Sequence, residues 1–251
     1  MKRTKFYLSI FVLILGAVVL SSLTSVKGAK AVGTETAGST GAGGGLTGKV
    51  IFEGTAPPPT PIKMDADPVC LLQHKDGATS EEVVVNSNGT LKNVFVYVKQ
   101  GLEGQTFTPP AEPVVFDQRG CRYHPHIFGI MVNQPFQILN SDGTLHNVHA
   151  LPTKSKEFNL GMPIQGMKLT QKFTSPEVMV KIKCEVHPWM AAYGGVLDHP
   201  FYSVTGEDGT FSIKDLPPGE YTIEAWHEKY GAQTTTVKVP ETTEANFTFK
   251  G

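Results

Sequence analysis

The sequence predicts an all-β protein, on three observations. Twelve short runs rich in Val, Ile, Thr and aromatic residues recur along the chain. Turn formers punctuate them, with Gly 26 and Pro 18 in 251 residues. No heptad repeat or long amphipathic stretch supports a helical bundle. A 40% hydrophobic, 18% charged composition is that of a chain able to bury a core. The formal net charge of -1 excludes the basic footprint of a nucleic-acid-binding domain.

At the start of the chain, Lys2, Arg3 and Lys5 precede the apolar run Phe6–Leu20, and Ala29-Lys30-Ala31 has the small-x-small pattern of a signal-peptidase site. Residues 1–31 therefore read as a signal for export to the periplasm or the extracellular space. An uncleaved membrane anchor is the competing reading, because no charge interrupts Phe6–Val26. Cleavage removes five basic residues and no acidic ones, which leaves 17 basic against 23 acidic side chains and a formal charge of about -6. Residues 32–45 form a Gly-rich tether.

The strands then follow in order. Leu46–Phe52 alternates and is closed by the Pro-rich loop Ala56–Pro61; Asn88-Gly89 turns the chain into Leu91–Val98. A second Pro-rich loop, Thr108–Pro113, leads to Val114–Asp117 and then Phe136–Asn140. Asp142-Gly143 turns into His146–Ala150, followed by Gln171–Phe173, Val178–Cys184 and Gly195–Asp198. After Asp208-Gly209 come Phe211–Ile213, Tyr221–Trp226, Thr234–Val239 and Asn246–Phe249.

Three cysteines, Cys70, Cys121 and Cys184, in an exported chain allow one disulfide and leave one thiol. Cys184 has other partners close by: Cys184-Glu-Val-His187-Pro-Trp-Met190 places a thiol, an imidazole and a thioether within seven residues. That assigns the disulfide to Cys70 and Cys121. No Cys-x-x-Cys-His haem motif and no second cysteine pair for zinc or iron-sulfur chemistry occurs. The soft donor set suits one copper ion cycling between Cu(I) and Cu(II), with Met190 as a weak axial ligand. Such a site needs a second imidazole, and His146, at a loop-to-strand junction, supplies it. Strand alternation sends His149 to the opposite face.

His146-Asn-Val-His and Cys184-Glu-Val-His-Pro-Trp-Met190 resemble the two ligand segments of the cupredoxins, the amicyanin and plastocyanin family of blue copper proteins. The resemblance covers about residues 113–197 and implies a Greek-key β-sandwich. It also implies His146, Cys184 and His187 as equatorial ligands, Met190 as the axial one, and Asn147 as the residue that ties the two ligand loops together. The segment from Tyr202 to His227, with Asp208-Gly209 and Pro217-Pro218-Gly219 turns, resembles the carboxypeptidase regulatory-like module, a non-catalytic transthyretin-like sandwich.

Residues 46–105 and 198–251 are each too short for a two-sheet core, so the sequence predicts one split sandwich with the cupredoxin unit, 113–197, inserted. The expected function is single-electron transport rather than catalysis, since four protein ligands leave no open position for substrate. A copper-binding or structural module without an electron-transfer role is the alternative. His187 is expected to lie nearest the surface as the exit for the electron. Pro188 and Trp189 beside it are the expected docking patch for a redox protein such as a cytochrome or a membrane electron-transfer complex. His124 and His126 read as a solvated loop pair rather than a second metal site.

Overall fold

The computed structural model describes residues 44–251; the expected signal and all but the last two residues of the tether fall outside them. Strand β1 (Gly44–Glu53) precedes a small excursion of β2 (Pro61–Ile62), helix α1 (Pro68–Gln73) and β3 (Ala78–Thr79), and then β4 (Phe95–Gln100). Nine strands follow: β5 (Val114–Arg119), β6 (Arg122–His124), β7 (Ile127–Met131), β8 (Phe136–Asn140), β9 (His146–Leu151), β10 (Phe158–Met162), β11 (Lys168–Gln171), β12 (Glu177–Lys183) and β13 (Ala191–Leu197). The chain closes with β14 (Tyr202–Val204), β15 (Thr210–Leu216), β16 (Gly219–His227), β17 (Gly231–Val239) and β18 (Phe247–Lys250). The fold is all-β, as the composition predicts.

Two sandwiches result. The first packs a five-stranded sheet, β10-β9-β12-β13-β7, on a four-stranded sheet, β11-β8-β5-β6. Its core is a group of rings, Phe116, Phe128, Phe136 and Phe173, set among Ile130, Ile138, Val148 and Ile182. The second packs β15-β1-β18 on β14-β4-β16-β17 and draws one core from residues 46–98 and 201–249. Strict alternation in β1 turns Leu46, Val50 and Phe52 inward, and its edges pair antiparallel with β15 and parallel with β18.

The sandwiches meet across β7, β13, β4 and β14, where Phe95, Tyr97, Ile127 and Leu197 are buried together. This contact explains a strand the sequence concealed. All five residues of β7 are buried, one face in the first core and the other against the second sandwich, so no alternation marks it. Gly129 is required there: a Cβ would lie 2.1 Å from the Tyr202 ring, whose hydroxyl donates to the Gly129 carbonyl at 2.9 Å. The sequence also showed no sign of β10, β11 lies earlier than Gln171–Phe173, and β4 begins at Phe95, after Asn93 takes a left-handed φ of 62°.

His227 is buried between Tyr230 and Phe249. Its Nδ1 accepts the backbone N–H groups of Lys229 and Tyr230, which puts the ring proton on Nε2, an atom without a partner. Burial lowers its pKa to about 4, with Glu228 opposing and His126 adding to the shift. The folded chain thus takes up this proton later than the unfolded chain does. Stability is unaffected above pH 6.5 and falls between pH 6.5 and pH 4, by about 3 kcal/mol from this residue. Denaturant midpoints at pH 7 and pH 4 check this, and His227→Gln should flatten the slope.

Candidate metal centre

The centre lies at one end of the first sandwich, where β9 begins and β12 passes into β13. His146 opens β9, and Cys184 follows directly on β12. Between Cys184 and Met190 the chain makes a tight turn: the Met190 N–H donates to the His187 carbonyl at 2.9 Å, and the Cys184 N–H to the Met190 carbonyl at 3.2 Å. The turn brings His187 back over the thiol, whose sulfur accepts the His187 N–H at 3.4 Å. One donor atom each from His146, Cys184 and His187 falls within 4.8 Å of the others, and all three side chains are buried. Met190 is buried in the same core cluster as Cys184.

Both imidazoles are oriented from behind. Nε2 of His146 donates to Asp142 at 2.9 Å, and Nε2 of His187 donates to Asp67 at 3.0 Å. A carboxylate only accepts, so each ring carries its hydrogen on Nε2 and turns Nδ1 inward. The two Nδ1 atoms are 2.9 Å apart. Two nitrogen lone pairs at that distance repel unless a cation lies between them, and a shared proton or a metal ion satisfies both. Two imidazoles, a thiol and a thioether thus fit copper by donor type.

The electrostatics follow from these contacts. Burial raises the Asp142 pKa, but His146 and the N–H groups of Cys121 and Gly120 outweigh it and hold the carboxyl at about 2. Burial acts against the charged His146, yet Asp142 and Cys184 raise its pKa to about 9. For His187 burial dominates and lowers the pKa, with Asp67 opposing. The Cys184 thiol is pushed up by burial and drawn below its ordinary value by His146 and by backbone N–H groups of the ligand loop. A lowered thiol pKa favours the thiolate that a soft metal requires.

Asn147 joins the two ligand segments, its Oδ1 accepting the Glu185 N–H at 2.6 Å and the Cys184 thiol at 3.2 Å. His149 lies on the other face of β9, held by Glu157 and Glu185. Cys70 and Cys121 form the disulfide, and Cys184 is the free cysteine. His124 and His126 belong to no three-ligand group among the described residues. His126 instead donates to Glu228 and the Ala191 carbonyl, which links the two sandwiches.

The expected position of His187 needs correction. The residue is 2% exposed rather than nearest the surface, because α1 and the disulfide fold over that end. Pro188 is exposed, whereas Trp189 is half-buried, lies 5.0 Å from His187 between ring centroids and donates to the Cys121 carbonyl. Asp142 and Asp67 were missed as partners of the ligands. A signal existed for the second: Asp67-Pro68 is an N-cap followed by proline at the first helical position, and the Asp67 side chain does cap α1.

Residues 196–250 match the family model of the carboxypeptidase regulatory-like domain. No curated protein sequence matches the chain. Among solved structures, the chain is similar to a copper-containing nitrite reductase from Thermus scotoductus SA-01, at 19% identity and a TM-score of 0.32, over 38% of this chain and 26% of that one. It therefore spans about a quarter of the reductase chain. A purple cupredoxin from Nitrosopumilus maritimus is similar at 20% identity and a TM-score of 0.29, over 33% of this chain and 98% of that one. The Cu(I) form of an amicyanin mutant is similar at 18% identity and a TM-score of 0.30, over 41% and 98%.

Proposed function

We propose that the chain is an exported copper protein that carries single electrons between redox partners and is not itself an enzyme. The observation that carries this reading is the facing pair of Nδ1 atoms, 2.9 Å apart beside the Cys184 thiol, with both outer nitrogens held by carboxylates. Bound copper would supply the one-electron Cu(II)/Cu(I) couple. His146, Cys184 and His187 would hold it, Met190 would tune it from the axial side, and Asn147 would keep the two ligand segments in register. All four residues are at most 3% exposed, a burial that shields the site from water. A cargo carrier, the competing reading, needs a ligand that solvent or a receptor can reach, and this burial disfavours it.

Addition of Cu(II) to the metal-free protein should give an intense visible band and a reversible one-electron wave. Met190→Gln should keep the metal and lower the potential. A colourless complex, or an irreversible wave, refutes the electron-carrier reading.

With His187 covered, partner contact falls on other side chains at this end. Leu145 adjoins His146, Val186 adjoins His187, and Leu71 and Leu72 lie on α1; all four are exposed. Their apolar surface suits a redox protein such as a cytochrome or a membrane electron-transfer complex. Leu145→Glu should slow electron transfer to the partner roughly tenfold, equivalent to about 1.4 kcal/mol, with the visible band unmoved. Stopped-flow rates identical to wild type would reject this face.

A further inference from the structure

We propose that Asp67 is a positioning residue of the metal centre, delivered from outside the sandwich by the strap β2-α1-β3, and that the Cys70–Cys121 disulfide keeps this strap closed over His187. The proposal rests on the assignment of His187 as a ligand.

The two carboxylates behind the imidazoles are held in matching ways. Asp67 receives His187 and the Thr144 hydroxyl on Oδ2, and the N–H groups of Val69 and Cys70 on Oδ1. Asp142 receives His146 and the Cys121 N–H on Oδ2, and the Gly120 N–H and Gln73 on Oδ1. One partner of each carboxylate is therefore the backbone of a half-cystine. The S–S bond joins the support of one histidine to the support of the other, and Cys70 Sγ lies 3.7 Å from His187 Nε2.

Besides the half-cystine Cys70, the strap buries only Met64, which packs with Cys121 and Trp189. β2 and β3 have two residues each, α1 has six, and Leu71 and Leu72 point to solvent. Polar ties from Gln73 to Asp142, from His74 to the Gly120 carbonyl and from Arg122 to the Thr79 carbonyl add to the bond. A segment with few buried contacts opens at low cost once its main tether is cut. The chemical step is a thiol–disulfide exchange. A dithiol gives two electrons and two protons, the S–S bond breaks, Cys70 and Cys121 become thiols, and the dithiol becomes a disulfide. Opening would uncover His187 and withdraw Asp67 from its Nε2, while His146 and Asp142 stay within the sandwich.

Metal-free protein tests this independently of colour or redox behaviour. Long-range proton–nitrogen NMR should show the Nε2–H tautomer for His187 in the wild type, a mixture in Asp67→Ala, and recovery of the Nε2–H form in Asp67→Glu. Diethylpyrocarbonate labelling, mapped by mass spectrometry, should modify His187 at least about tenfold faster after reduction by dithiothreitol, with His146 unchanged. Should the buried bond resist the reagent, the variant C70A/C121A supplies the open state. An unchanged tautomer in Asp67→Ala overturns the positioning role. Equal His187 labelling in open and closed protein, or His146 labelling that rises alongside, overturns the local cover. In copper-loaded protein, Asp67→Ala should release metal to a chelator about 10–100-fold faster, the usual scale for losing an outer partner of a metal-bound histidine.

Discussion

Cys184→Ser is expected to abolish the intense visible band of the copper-loaded protein and to weaken copper binding by more than about 100-fold, beyond the scale of losing an outer partner. Such a band would be charge transfer from the Cys184 thiolate, and serine supplies no thiolate at neutral pH. The fold should tolerate the change. Cys184 is buried at the end of β12, serine is close to it in size, and the loop is held by backbone bonds between Cys184, His187 and Met190. An unfolding midpoint within about 1 kcal/mol of wild type, alongside loss of the band, would assign the effect to the ligand rather than to unfolding. Colour that survives the substitution would remove Cys184 from the site.

The second large effect is on stability. Replacing Cys70 and Cys121 together by alanine should cost roughly 4 kcal/mol in denaturant unfolding, because the bond closes a loop with a sequence separation of 51. Both half-cystines are fully buried and pack with Met64 and Trp189, so the loss combines a freer unfolded chain with a thinner cluster under the strap. Wild-type protein under dithiothreitol should move toward the variant's midpoint. A change below about 1 kcal/mol would mean that the polar ties of the strap suffice without the bond.

Candidate donors for a metal stood out in the sequence because metal chemistry restricts the residue types. Few residues offer a soft sulfur or an imidazole, and Cys184, His187 and Met190 stand within one loop. The carboxylates behind them did not, since Asp67 and Asp142 reach the imidazoles only through tertiary folding and aspartate is common in turns. Strands with one wet face were easily read, β1 and β8 among them. β7 was hidden because burial on both faces erases alternation. α1 was hidden by its length, as six residues give too little periodicity to recognise. The same excursion reversed the expectation for His187, because a strap tied to the β5–β6 turn covers a ring that the local motif alone would leave open.

The parallel pairing of β1 with β18 also bears on how the molecule is made. Val50 pairs with Phe247 and Phe52 with Phe249, so a strand near the start of the described chain waits for one synthesised far later. The intervening nine-stranded sandwich has neighbours closer in sequence and can condense first. The second sandwich should then close in a slower phase, limited by bringing distant segments together rather than by local structure. Until it closes, β1 presents an unpaired edge along Val50–Glu53, which makes the interval between the two phases the period of greatest exposure to self-association.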